Sequence, residues 1–594
     1  MRLLFLFAMT VGLLAGAEPA AAAMPSLRPM HCQDGVLRYP DGSEVTLWGV
    51  NFQTPLHWEY RYESKPAGVP LDAEAINRMA DANLDSVQAV GAQVLRVHLN
   101  PADLADGEGG LRTSPFLDAF DHLLRRCRER GMYLYLTLIN DQGTPYFTNS
   151  FMAGIRREAW LFDPGFLTRA ERFIAELLAH ANRYDGTVLA TDPALAVIEL
   201  VNEPAYPTLE ALRSRPALAA ELERYETWLA ARPPGDREPS AAFAAYRRDR
   251  VAAAIARLLA AVRAGGARQP VVWNLNWPGM ADGHAEVFQA VAESAVDGVS
   301  CCLYPGQTDV PEAYWKEPRD LTGNDYLPYV RQATATHREL GWMLDERFRG
   351  KAKLAYEFET FFNQSAHLYP AMAAAFRSLG IQIATQWHYR LLPAAQWQGG
   401  SHYLNLECTP RKALGFAIAG EVFRALPRLT ALPPLDAERS LVAGPGWGAA
   451  YSADAAWWAT AGSLIHAGDL PADVTVPADV HRILGLGSSP LASYGGSGSF
   501  SIAIGSEAVE IVIRPDVRMT RPSWRTGHQP GDEPMCVLDT QTAHTLVLRL
   551  PGWSTGIALE RLADGQVIVV PQSGDDSTWK VMPGRYRLVR NGGR

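Results

Sequence analysis

The chain has 594 residues, 47% of them hydrophobic and 20% charged, a balance that excludes an extended disordered protein and is too long for one ordinary domain. Its formal net charge of -9 removes any electrostatic reason to expect nucleic acid or an anionic membrane as partner and points to a neutral ligand.

At the N-terminus, Arg2 precedes the apolar run Leu3 to Leu14, and Ala20 to Ala23 offers a small-residue cleavage site. Residues 1–23 therefore read as a secretory signal, since the run is shorter than the ~20 residues that cross a bilayer. Secretion to the periplasm or the exterior is the expectation, with no membrane span. Six cysteines, at 32, 127, 301, 302, 408 and 536, have neither zinc spacing nor the density of a disulfide scaffold.

From Val36 to Asn51 two short strands are predicted around Tyr39-Pro40-Asp41-Gly42, a hairpin able to plug one end of a barrel. Apolar runs then alternate with helical periodicity. Strands are predicted over Thr46–Asn51, Gln93–His98, Met132–Ile139, Ala196–Val201, Val271–Asn276, Gly298–Leu303, Lys353–Phe358 and Gln382–Trp387. Helices between them include Ala73–Val90, Phe116–Arg130, Phe166–Asn182, Tyr329–Leu344 and Arg411–Phe423. Eight such units close into a (β/α)8 barrel over residues 24–425, with a helical insertion near 209–263. A proline-rich linker at 426–439 leads to a β-sandwich-like region at 440–594, read as a brace for the barrel rather than a sugar-binding module.

In such a barrel the C-terminal strand ends converge on one site. The fourth strand ends in Glu199-Leu200-Val201-Asn202-Glu203-Pro204 and the seventh in Tyr356-Glu357-Phe358-Glu359. Two carboxyl groups about 5 to 5.5 Å apart are what hydrolysis of a glycosidic bond with retention requires. Glu203 is the candidate general acid/base and Glu357 the candidate nucleophile. Glu359 shares the strand face with Glu357 by spacing but already lies in the loop, and Glu199, deeper in the strand, is expected to be buried and satisfied by a basic group. Gly552-Trp553-Ser554-Thr555-Gly556 fits the serine-hydrolase elbow, but no histidine follows to complete a triad, so a turn between strands is the better reading. No metal-ligand or phosphate-loop motif is present, and no cofactor is implied.

Val-Asn-Glu-Pro after the fourth strand and Tyr-Glu-Phe after the seventh resemble the glycoside hydrolases of clan A, nearest to family 5 with its cellulases and mannanases. The likeness covers roughly residues 36 to 425 and includes Gly49-Val50-Asn51 and Val94-Leu95-Arg96. It implies that Arg96 and Tyr304 contact the nucleophile, that Asn202 binds a sugar hydroxyl and that Trp387 is a sugar platform. His98, Asn276, Trp277 and His388 are further candidates for substrate contact. The sequence departs from the family pattern at Leu138-Ile139-Asn140-Asp141, at His98, and at Cys302-Leu303-Tyr304. The implied activity is retaining hydrolysis of a β-linked oligo- or polysaccharide, with β-mannosides or β-glucosides as leads. A transglycosidase on the same site and a non-catalytic glycan-binding barrel are the alternatives.

Overall fold

A computed structural model describes residues 27–52, 72–140, 149–275, 283–307, 324–360, 363–397, 402–520, 534–563, 565–574 and 577–591. The chain begins with a two-stranded antiparallel ribbon, β1 (His31–Gln33) and β2 (Val36–Arg38). The expected turn is present, with Arg38 and Glu44 bridged antiparallel across it and the Val45 amide on the Leu37 carbonyl, and a second, tighter turn precedes it. The tight turn is Asp34-Gly35, both at positive φ, and Tyr39 to Ser43 form a wider turn closed by the Tyr39 amide on the Ser43 carbonyl. The two glycine turns, at Gly35 and Gly42, lie seven residues apart, and both form.

Eight parallel strands follow and close on themselves: β3 (Leu47–Asn51), β4 (Val94–His98), β5 (Tyr133–Ile139), β6 (Leu195–Val201), β7 (Val271–Asn274), β8 (Gly298–Leu303), β9 (Ala352–Phe358) and β10 (Ile383–Gln386), with β10 pairing back onto β3. Nearly every residue in them is buried, as both faces of a barrel wall are covered, one by the interior side chains and one by the helices. The expected (β/α)8 architecture is the one found.

Three of the early helices begin where a side chain satisfies a free amide. Asp72, Ser114 and Asp163 each accept the N–H three residues on, from Ala75, Leu117 and Phe166, and proline occupies the first turn after Ser114 and Asp163. The insertion after β6 consists of Leu209–Ser214 and Ala219–Ala230, followed by the long helix Pro239–Ala264. That long helix is the ordinary crossover of the fourth unit, burying Val251, Ile255, Leu258 and Val262. The shorter helices pack on its start through Tyr225 against Phe243 and Tyr246.

After the last barrel helix, Pro410–Ala425, an eleven-stranded sheet begins already at Leu435–Asp436, inside the stretch expected to be linker. A three-stranded sheet of Ala492–Tyr494, His544–Leu548 and Thr578–Val581 packs over it, sharing a core of Phe500, Ile511, Leu546, Trp579 and Leu588. Gly552 to Gly556 is a turn region in this β-rich part. Trp447, Ile465 and Leu484 of the large sheet belong to the same apolar cluster as Phe416 and Phe423 of the last barrel helix, so sheet and barrel are braced by shared packing.

Behind the barrel wall sits an ion pair with no exposure: Lys412 Nζ lies 2.7 Å from Glu359 Oε1, and Tyr369 donates to the same oxygen at 2.9 Å. Removing one member of such a pair strands a charge in low dielectric, whereas removing both costs little. Lys412→Met is predicted to destabilise by about 3 kcal/mol, seen as a lower melting temperature, and Lys412→Met/Glu359→Gln to recover most of that loss.

Candidate active site

The C-terminal ends of β4, β6, β8 and β9 assemble around one side chain, Arg96, which has no exposed surface. Its Nη1 donates to Asn51 Oδ1 at 2.9 Å and Glu357 Oε1 at 2.8 Å. Its Nη2 donates to Glu199 and, at 2.9 Å, to Asn202 Oδ1. The rings of Tyr135 and Tyr356 flank the guanidinium at 5.4 and 4.8 Å. An arginine suits this position because its planar fork holds several acceptors in fixed directions and it does not lose its proton.

Glu199 is fully buried beneath Arg96 and accepts from Tyr135 at 2.7 Å, Thr137 and Ser300 at 3.1 Å and Asn274 at 3.3 Å. Every lone pair is engaged inside the barrel, so this carboxylate orients Arg96 and is closed to any ligand. Above it, Glu357 receives Arg96 and the Tyr304 hydroxyl, the latter at 2.6 Å on Oε2.

Glu203 stands just past the end of β6 with φ at +42°. A non-glycine residue in the left-handed region carries roughly 1–3 kcal/mol of strain, and here it turns the carboxyl back over the mouth. Tyr356 donates to its Oε1 at 2.8 Å. Arg157, from the turn after β5, approaches Oε2 at 3.8 Å while donating to the Asn202 carbonyl at 2.8 Å.

Burial raises the carboxyl groups of both Glu203 and Glu357, and the charge of Glu203 raises that of Glu357 further. Buried, mutually repelling acids hold a proton between them. The donors decide where the charge rests. Glu357 has a fully buried arginine at 2.8 Å and a phenol at 2.6 Å, whereas Glu203 has a phenol and a partly exposed arginine beyond hydrogen-bond distance. These donors favour the charged form at Glu357 more than at Glu203.

The other candidates divide. Asn202 has its oxygen on Arg96 and its Nδ2 on Asn140 Oδ1 at 3.1 Å, so both ends of the amide are occupied within the protein. His98 stacks on Trp387, with centroids 5.1 Å apart and planes at 25°, and its Nε2 is 3.6 Å from Glu357. Burial and the charge of Arg96 push its imidazole well below the ordinary value, leaving it neutral. His388 is buried beside Trp387, and burial pushes its imidazole down to about 4 against the pull of Glu359. Asn276 and Trp277 lie outside the described residues.

Glu359 lies past the strand, as its expected place in the loop implies, and its carboxylate joins Lys412 and Tyr369 behind the wall. The reason is that β9 ends at Phe358, so the pleat does not extend to Glu359. Asn51, Asn140 and Arg157 carried no role in the sequence reading. Asn51 at a strand end could have been weighed on position, whereas Arg157 lies in a turn with no motif to mark it.

The fold and site together define an eight-stranded α/β barrel carrying a buried, arginine-clamped carboxyl pair at its mouth. No protein-family model and no curated protein matches the chain. Among solved structures it is similar to a glycoside hydrolase family 5 mannosidase from Rhizomucor miehei, at 11% identity over 67% of this chain and 98% of that one, with a TM-score of 0.41. It is also similar to the endo-β-1,4-mannanase from Thermotoga petrophila, at 12% identity over 91% and 98%, with a TM-score of 0.41. An endogalactoceramidase matches at 16% identity over 95% and 100%, with a TM-score of 0.38. These likenesses concern the barrel architecture, and the roles of individual residues rest on the geometry above.

Removing the Tyr304 hydroxyl takes away a donor that favours the charged form of Glu357, so its carboxyl rises further. In Tyr304→Phe the Glu357 carboxyl is predicted to titrate at higher pH than in the wild type. Carboxyl 13C NMR, with Glu357 assigned by its loss in Glu357→Gln, checks this; an unmoved titration contradicts the role of Tyr304 as a donor to the charged form.

Proposed function

We propose that the protein is a retaining β-glycoside hydrolase. The observation that carries this reading is the pair Glu203 and Glu357, two carboxyl groups at the mouth of one barrel, of which Glu357 has a buried arginine and a phenol as donors and Glu203 a phenol. In the first step a carboxylate oxygen of Glu357 attacks the anomeric carbon as Glu203 gives its proton to the departing glycosidic oxygen. The bond to the leaving group breaks as the glycosyl–Glu357 ester forms. In the second step Glu203, now ionised, takes a proton from water, which displaces Glu357 and releases the sugar with its original anomeric configuration. Arg96 neutralises Glu357 before attack and after release, and is already in place, so little reorganisation accompanies the chemistry.

The substrate class is a β-linked oligo- or polysaccharide, with aryl β-mannosides and β-glucosides the first to assay. Trp387, 9% exposed beside the pair, offers an aromatic face to the apolar side of a pyranose. We place the enzyme outside the cytoplasm, on the apolar run and small-residue stretch of residues 1–23. N-terminal sequencing of the exported protein is expected to begin near Met24, and an intact Met1 contradicts export with cleavage.

Glu203→Gln and Glu357→Gln are each predicted to fold normally and to lose at least a thousandfold in kcat. Azide is expected to restore turnover to Glu357→Ala, giving a glycosyl azide of inverted configuration. Near-wild-type turnover in either glutamine variant rules out the mechanism.

A further inference from the structure

Arg96 fixes more of the site than the two acids. A guanidinium has donors only, so the Asn202 atom 2.9 Å from Nη2 must be Oδ1. Asn202 therefore turns its Nδ2 the other way, where it meets Asn140 at 3.1 Å. The Asn140 atom that receives this N–H is Oδ1, which directs its own Nδ2 at His98 Nδ1, 3.0 Å away. An amide nitrogen donates and does not accept, so Nδ1 of His98 is the acceptor. In a neutral imidazole the ring proton is then on Nε2.

That Nε2–H is the loose end of the chain. It points to Glu357 Oε1 at 3.6 Å, too far for a hydrogen bond. Among the described residues it has no hydrogen-bond partner although His98 is only 6% exposed. The ring is held on one side by Asn140 and on its face by Trp387. A buried donor so placed calls for an acceptor that arrives with the ligand. The attacking oxygen of Glu357 must come within about 3–3.5 Å of the anomeric carbon. A donor beside that oxygen therefore reaches the ring hydroxyls nearest the anomeric centre.

We propose that His98 Nε2–H donates to a secondary hydroxyl, on C2 or C3, of the sugar held at Glu357, and that Asn140 is the positioning residue that keeps the proton on Nε2. The hydroxyl contact rests on the glycosidase reading; the placement of the proton does not. Asn202, with both ends of its amide engaged, passes the orientation set by Arg96 through Asn140 to the imidazole.

Two measurements test this. Histidine-selective 15N labelling of the full chain without substrate, with His98 assigned by its loss in His98→Phe, is expected to show a protonated, pyrrole-type Nε2 and a pyridine-type Nδ1. In Asn140→Asp, whose carboxylate only accepts, the proton should move to Nδ1. A protonated Nδ1 in the wild type, or an unchanged pattern in Asn140→Asp, overturns the relay. The second measurement compares kcat/KM for the parent aryl β-glycoside with its 2-deoxy and 3-deoxy analogues. Wild type is expected to disfavour one analogue more than His98→Phe does, by roughly tenfold, and Asn140→Asp to lose part of that discrimination. Equal deoxy penalties in wild type and His98→Phe overturn the hydroxyl contact. Failure to turn over any β-glycoside overturns that contact together with the glycosidase reading, while the proton position is still read from the spectra.

Discussion

The charge of Arg96 is the constraint around which the barrel mouth is built. Three carboxyl groups, Glu199, Glu203 and Glu357, are gathered there, with one fully buried cation among them and a second, Arg157, at the edge. Isolated charges do not survive in such a place, so each acid must be paired, saturated with donors or protonated. Glu199 takes the second route as well as the first, with four neutral donors besides Arg96. Glu357 shares the arginine, and Glu203 is left to keep a proton. Two carboxyl groups of one barrel mouth are thus made unlike by an uneven distribution of donors.

The same cation orders neutral groups. Because Arg96 cannot accept, it dictates the orientation of Asn202, and through Asn140 that of His98. Polar networks of this kind specify a single arrangement only when every member is satisfied. Here the relay ends at His98 Nε2, which has no hydrogen-bond partner among the described residues and faces Glu357. Rigidity and incompleteness are therefore placed together, as expected of a site preorganised for a polar ligand.

Much of the barrel is legible in the sequence because burial on both faces writes each strand as a short continuous apolar run. All eight runs fall within a few residues of the strands found, and Gly298–Leu303 coincides. The helix starts were legible for a local reason, a side chain capping an amide three residues on. The turn at Tyr39 to Gly42 was legible, whereas the ribbon of β1 and β2 before it was not, because each of its strands is only three residues long. Asn140 and Arg157 escaped notice since their roles are set by contacts across strands 42 to 62 residues away, to His98 and Asn202. No linear motif encodes those.

Glu357 and Glu359 make the limit of sequence reasoning concrete. They are the same amino acid two positions apart, so composition and periodicity treat them alike, and only the strand end separates them. At Phe358 the strand ends, and the chain leaves the pleat. Glu357 remains in the mouth, facing a cation it must share with Glu199 and a tyrosine that leaves it reactive. Glu359 passes to the back of the wall, where Lys412 is committed to it and packing against the final helix closes it off. The first is an anion with its partner divided; the second has a cation of its own. What distinguishes the two carboxylates is thus whether the countercharge is shared and the oxygens reach the opening, and that is decided by where the strand stops.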